Sequence, residues 1–328
     1  MLYPLRFQPI LKERLWGGRE LATLYGKPLP PGRPIGESWE ISDRPGDVSV
    51  VANGPMAGQD LRWLMQNHSG AVLGDAAARD ERFPLLVKIL DAREILSVQV
   101  HPPAAIAPTL GGEPKTELWY VTRAGPGARL SAGLKPGVSR AVFEHHLRHG
   151  TVEGCIHQVP VQPGDAIFLP SGRLHALGAG MVIFEIQQNS DTTYRVFDWN
   201  RVGPDGRPRE LHVEQALACI DFEDVEPGLV SASWQDEGAC QRRRLVRHSL
   251  FTVDELRTNE PTRRTWSGGR ASILGVVSGR LRLDHPASGE QFELAPGEFA
   301  LLPAEAREVE LTLPGQTVFL EASPGAQP

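Results

Sequence analysis

From Pro84 onward, apolar residues come in short runs broken by turn residues. Leu85-Leu86-Val87-Lys88-Ile89-Leu90, Ile95 to Val100 and Leu118 to Thr122 come first, and after an interruption Ala166 to Leu169 and Met181 to Ile186. Runs of this length and composition predict strands, and their close spacing predicts a sandwich or barrel. Helical spacing is confined to three places: Leu61, Leu64 and Met65 within residues 59–67, Val138, Val142, Phe143 and Leu147 in the interruption, and a last stretch from Glu210 to Ile220. Residues 1–56 are irregular and rich in Gly and Pro, with two compact aromatic clusters, Leu15-Trp16-Gly17-Gly18 and Gly36-Glu37-Ser38-Trp39-Glu40.

The chain also repeats itself. Val161-Gln-Pro-Gly-Asp-Ala-Ile-Phe-Leu-Pro170 aligns with Leu294-Ala-Pro-Gly-Glu-Phe-Ala-Leu-Leu-Pro303, so that Pro163, Gly164 and Pro170 fall on Pro296, Gly297 and Pro303. A Pro-Gly turn, a short buried strand and a second Pro are the punctuation of small antiparallel barrels. The expected fold is therefore mainly β: two cupin or jelly-roll barrels, with a small helical insertion in or after the first. The expected boundaries are an N-terminal extension over 1–56 packing on the first barrel, the first barrel over 57–224 with its insertion at about 136–158, and a degenerate second barrel over 225–328.

Composition adds exclusions. Of 328 residues, 41% are hydrophobic and 23% charged, enough chain for one large domain or two of usual size. Lys plus Arg total 34 against 40 Asp plus Glu, a net charge of −6 without the basic footprint of a nucleic-acid binder. Cys155, Cys219 and Cys240 are too few and too widely spaced for a disulfide framework or a paired-thiolate zinc site. The N-terminal Met-Leu-Tyr-Pro-Leu-Arg-Phe has no secretory pattern, and no apolar run approaches the ~18 residues of a membrane span. A soluble, cytoplasmic chain with neither membrane nor nucleic-acid partner is expected.

The polar residues kept inside the first barrel carry the chemistry. In Ser97-Val98-Gln99-Val100-His101, Ser97, Gln99 and His101 share one face of a strand, and Lys115 and Glu117 share a face by the same rule. A polar set on an inward face needs something polar to hold. Arg173-Leu174-His175 follows the Phe-Leu-Pro turn, where the next strand begins. Two His and one Glu with a Gln nearby suit Zn2+ with an open position, although each residue taken singly is more often a hydrogen-bonded or surface group than a ligand. In the second copy Glu308 stands at the position of His175 and Ser272 at that of Glu117, so that copy is expected to lack a metal. His145, His146 and His149 read as a solvated helix face. Arg195, in Tyr194-Arg-Val-Phe-Asp198, reads either as the partner of Asp198 or as an arginine at the barrel mouth that holds an anionic oxygen.

At these residues the sequence resembles the type I phosphomannose isomerases in their shorter bacterial form. The matching stretches are Leu15-Trp-Gly-Gly18, Gly36-Glu-Ser-Trp39, Leu96-Ser-Val-Gln-Val-His-Pro102, Lys115-Thr-Glu-Leu-Trp-Tyr120, Gly172-Arg-Leu-His175 and Tyr194-Arg-Val-Phe-Asp-Trp199, with Phe197 where the family commonly has Tyr. The second barrel matches only as a generic degenerate cupin. The resemblance implies one Zn2+ per chain on His101, Glu117 and His175, with Gln99 as a fourth ligand in some members, a catalytic arginine at Arg195 and an active-site lysine at Lys115. It implies interconversion of mannose 6-phosphate and fructose 6-phosphate through a cis-enediol. Ser97, Lys88, Glu37, Trp16 and Trp39 are expected around the substrate, with Lys88, Lys115 and Arg195 as the cations nearest its phosphate. Lys115, Glu37 and a metal-bound water stand as alternative bases. The competing readings are a non-haem Fe(II) dioxygenase and a sugar-phosphate-binding cupin without catalysis; a monomer or homodimer is expected in each case.

Overall fold

The computed structural model describes residues 1–74, 82–202 and 206–325. The fold is mainly β, two barrels each made of two facing antiparallel sheets. Across the large sheet of the first barrel the strands are Ile10–Gly18, Ile35–Ile41, Leu85–Ala92, Met181–Gln188, Glu117–Ala124 and Ala166–Leu169. Its small sheet runs Tyr194–Phe197, Val98–Val100, His175–Ala176, Arg129–Leu134 and Ile156–Pro160.

Two of these strands come from the irregular N-terminal stretch. Their pairing shifts register at Lys12/Glu13 and again before Gly18, which breaks the period of two that would betray a strand. Gly17 is needed because the two backbones nearly touch: a Cβ there would lie 2.4 Å from the Gly36 nitrogen. Leu5 also bridges to Leu301, so the N-terminal segment reaches the second barrel.

Every residue of Leu85–Ala92 is buried, because the strand is covered on both faces. Leu90 and Ala92 look into the first barrel, toward Leu130 and Ala132 of the small sheet. Val87 and Ile89 belong to the opposite face, which with Leu118, Tyr120, Phe184 and Ile186 packs on Phe251, Val253, Ile273, Phe299 and Leu320 of the second barrel. Burial on both sides is what turns alternation into a continuous apolar run. The rings of Phe184 and Phe299 are 5.0 Å apart, and the Tyr120 hydroxyl donates to Glu255 at 3.0 Å.

The second barrel has a large sheet of Gln235–Glu237, Cys240–Arg247, Phe251–Thr258, Thr317–Pro324, Ser272–Ser278 and Phe299–Leu302, and a small sheet of Thr262–Trp266, Val309–Leu313, Leu281–His285 and Glu290–Leu294. The last four strands of the large sheet repeat the order found in the first barrel. Ser272 faces Leu302 as Glu117 faces Leu169, the equivalence expected from the sequence. The cross-strand row Lys88, Glu185, Trp119 likewise becomes Asp254, Glu321, Leu274.

Helices are few and short among the described residues. Leu61–Leu73 outlasts its expected end because Val72 and Leu73 are also buried, and it starts where the Asp60 carboxylate accepts the Trp63 N–H at 2.7 Å. The insertion helix is Arg140–Arg148, capped by Ser139, and the last helix is Val213–Cys219, shorter than its expected 210–220. No helix among the described residues is long and apolar enough to cross a membrane.

Candidate metal centre

Strand pairing assembles the polar half of the first barrel. Across the small sheet Arg195, Gln99 and His175 are cross-strand partners, so their side chains stand in a row on one face. On the large sheet Trp39, Lys88, Glu185 and Trp119 form one row, and Gln187 and Glu117 belong to the next. An apolar cluster that includes Trp16, Leu90, Trp119, Val121 and Ile183 fills the other half.

His101, Glu117 and His175 meet between the sheets, one donor atom from each lying within 4.8 Å of the others. All three are at most 1% exposed. His101 Nε2 is 3.4 Å from one Glu117 oxygen, and His175 Nε2 is 3.3 Å from the other. Each imidazole spends its Nδ1 on a backbone carbonyl, that of Thr192 for His101 and that of Arg173 for His175, both at 2.9 Å. This holds Nε2 as the inward lone pair, the usual orientation of a metal-ligating histidine. His101 Nε2 and Glu117 Oε1 make no hydrogen bond with the described residues, and Glu117 Oε2 is paired with the Lys115 ammonium. Buried polar atoms are seldom left without a partner, and an imidazole lone pair and a carboxylate oxygen converging on one point fit a cation between them. The Gln99 amide lies 3.3 Å from His175 Nε2, within reach of a fourth ligand position.

Electrostatics favour the ligating protonation states. Burial, reinforced by the Lys115 charge, pushes His101 down to about 3, and burial also lowers His175, so both imidazoles are neutral. Burial alone would raise Glu117, but Lys115, with Nζ 2.8 Å from a carboxylate oxygen, holds it well below the usual carboxylate range. Glu185 goes the other way: burial raises it, and the nearby Glu117 charge adds to that against the pull of Lys115 and Lys88. It accepts the Trp119 indole N–H at 2.9 Å and sits 3.3 Å from Lys88 Nζ.

The other expected site residues divide between this cluster and its surroundings. Arg195 does not pair with Asp198, whose carboxylate is taken by Arg201 and Arg209 at 2.5 to 2.7 Å; it donates instead to Ser97 Oγ at 3.2 Å and to the Glu210 carbonyl at 2.8 Å. Lys88 stands 4.9 Å from the centre of the Trp39 ring, which puts Trp39 against the polar half. Trp16 belongs to the apolar half, its ring so close over Gly36 that a Cβ there would come within 2.6 Å. His145 and His149 stack 4.3 Å apart on the exposed face of the insertion helix. In the second barrel His285 donates or accepts through Nδ1 with Ser288, and among the described residues the only three-residue ligand cluster found is that of the first barrel. Glu185 and Gln187 were missed, although a carboxylate inside the apolar run Met-Val-Ile-Phe-Glu-Ile is itself a signal that something charged must be nearby.

Glu37 is a buried anchor. Burial would raise it, yet Lys88 and the Arg14 guanidinium, at 2.7 and 3.3 Å, hold it at about 2, with the Trp39 N–H bonded at 2.6 Å. A carboxylate depressed on folding contributes stability above its unfolded pKa and loses it as pH falls toward the folded value. The window here runs from the ordinary 4.5 down to about 2. At about 1.4 kcal/mol per pH unit the contribution is roughly 3 kcal/mol. Urea unfolding of Glu37→Gln is expected to show a deficit of that order at pH 7 that narrows between about pH 5 and pH 3; an equal deficit at both ends would assign the loss to packing.

Fold and site together define a two-barrel cupin protein with one candidate metal centre. The family model for the catalytic domain of type I phosphomannose isomerase matches residues 4–118. The mannose-6-phosphate isomerase of Streptococcus mutans is 35% identical over 304 residues, covering 92% of this chain and 93% of its own. ManA of Bacillus subtilis, a mannose-6-phosphate isomerase, is 38% identical over 68% of this chain and 69% of its own. The crystal structure of a Bacillus subtilis mannose 6-phosphate isomerase superposes with a TM-score of 0.88 at 32% identity, over 98% of this chain and 99% of that one. The chain belongs to the type I phosphomannose isomerase family.

Proposed function

We propose that this protein interconverts mannose 6-phosphate and fructose 6-phosphate, moving a proton between C2 and C1 of the open-chain sugar through a cis-enediol. The observation that carries the reading is the buried, ligand-ready set of two neutral imidazoles, His101 and His175, and the Glu117 carboxylate, with Lys115, Lys88 and Arg195 around it. Relatives of similar length carry the same activity in their names. With Gln99 as a fourth donor, these three residues hold one zinc ion per chain, which when bound acts as a Lewis acid toward neighbouring sugar oxygens.

The remaining steps belong to the side chains. Arg195, fixed by Ser97 and the Glu210 carbonyl, places a guanidinium where negative charge develops on the sugar oxygens. Glu37, held at about 2 and occupied by Arg14, is a poor proton acceptor, and Lys115 is committed to Glu117. Glu185 is the better carrier: its raised pKa eases protonation, and the Trp119 N–H fixes its orientation. It takes the proton from C2 and returns it to C1, the O2 hydroxyl proton passing to O1 at the enediol stage, while Lys88 and Lys115 balance its charge. The same lysines and arginine suit a phosphorylated sugar better than the neutral or apolar substrates of many dioxygenases.

A coupled assay on mannose 6-phosphate with metal analysis of the same sample tests the reading. Zinc without turnover would leave a binding protein, and iron with oxygen consumption would leave a dioxygenase. Arg195→Ala should fold and keep its metal while kcat falls by roughly 10² with little change in KM, as for other lost oxyanion donors; a pure rise in KM would make it a phosphate anchor. Glu185→Gln should retain KM and lose about 10² to 10⁴ in kcat, the usual range for a general base, and near-normal turnover would return that role to Lys115.

A further inference from the structure

A cavity of about 640 Å³ lies at the far end of the first barrel's large sheet from the candidate metal centre, within the usual size range for small-molecule sites. Its walls come from the ends of three strands, at Asp91, at Arg123 and at Met181 and Val182. The opposite halves of those strands carry Lys88, Glu117 and Glu185. The apolar cluster around Trp16, Leu90 and Trp119 lies between cavity and candidate metal centre.

The lining is cationic around an apolar floor. Arg19, Arg33, Arg93 and Arg123 face two carboxylates, Glu20 and Asp91, a surplus of 4 − 2 = +2. Glu20 is taken by Arg123, and one Asp91 oxygen accepts the Glu20 backbone N–H at 2.7 Å. Arg33 has only an exposed pairing with Glu13 at 3.5 Å. Arg19 donates to the carbonyls of Pro30 and Arg33 and meets no carboxylate among the described residues, and Arg93 makes no hydrogen bond or ion pair with them. Leu15 and Pro34 supply apolar surface, with Leu15 left 55% exposed. Gly17, Gly125 and Gly180 keep the walls flat.

Guanidinium groups without carboxylate partners, set over a flat apolar floor, are complementary to an oxyanion attached to a planar body. We propose that this cavity is a ligand site, distinct from the candidate metal centre, for a small organic oxyanion: a phosphate or carboxylate on a flat apolar group, held by Arg19 and Arg93 with its body against Leu15 and Pro34.

Calorimetry on the full-length, metal-loaded protein with 2-naphthyl phosphate and 2-naphthoate tests the site and distinguishes the two head groups. One equivalent of at least one probe should bind, inorganic phosphate should bind more weakly, and saturating mannose 6-phosphate should not displace the probe. Arg93→Glu should weaken binding by ~10-fold or more, equivalent to about 1.4 kcal/mol, with kcat and KM unchanged. Gly125→Trp should do the same by filling the space: Gly125 lies outside the left-handed region, and a Cβ there meets only the Gly180 carbonyl, at 3.4 Å. If that variant proves unfolded, the charge reversal alone decides. Absence of binding, displacement by mannose 6-phosphate, or equal affinity in wild type and Arg93→Glu would overturn the proposal.

Discussion

His101→Ala and His175→Ala are each expected to yield folded protein that has lost its metal and at least ~10³-fold of its turnover, the scale of several kcal/mol of Lewis-acid stabilisation. The fold should survive because each imidazole is neutral, so its removal strands no buried charge: Glu117 keeps Lys115 at 2.8 Å. Glu117→Ala is a different experiment. It would leave the buried Lys115 ammonium without its nearest partner, and a lower melting temperature should accompany the loss of metal. Elemental analysis should give one metal per wild-type chain and less than about a tenth of that in either histidine variant, since removing one of three or four ligands opens the site. Two metals per wild-type chain, or unchanged content in both variants, would mean that another cluster holds the ion.

That cluster was legible in the sequence because its residues sit where periodicity speaks clearly. Ser97-Val-Gln-Val-His101 alternates, and Gln99 does pair with His175 across the sheet. Matching Trp119-Tyr-Val121 with Leu274-Gly-Val276 puts Ser272 in register with Glu117, as the two large sheets place them. Legibility failed where burial is two-sided or register shifts. Glu185 was hidden in a strand whose alternate residues face the second barrel, so its neighbours are apolar on both sides and no alternation marks the inward face. The N-terminal strands were hidden by their bulges. Arg195 could not be resolved from spacing, because the competition for Asp198 is decided by Arg201 and Arg209 on the following loop.

The second barrel has no metal cluster among the described residues, and its role is read from what it covers. Its equivalents of Lys88 and Glu185 are both acidic and are taken by arginines: Asp254 by Arg242 and Arg244, and Glu321 by Arg242. Glu308, aligned with His175, has a left-handed backbone with φ of 57° just before the strand Val309–Leu313 and is exposed, so Glu308→Ala should leave activity within a few-fold of the parent. Truncation after Asp224 should have the opposite result. The chain end would keep the Arg173–Asp224 ion pair, but Val87, Ile89, Leu118, Tyr120, Phe184 and Ile186 would lose the partners that now bury them. At about 1.5–3 kcal/mol for each large side chain returned to water, the loss is on the order of 10 kcal/mol. That equals the whole stability of an ordinary domain, roughly 5–15 kcal/mol. The fragment should be insoluble or should lack a cooperative melting transition, with its apolar sheet face open to association. A soluble and fully active fragment would show that the first barrel stands alone, and a large activity loss in folded Glu308→Ala would place a functional group in the second.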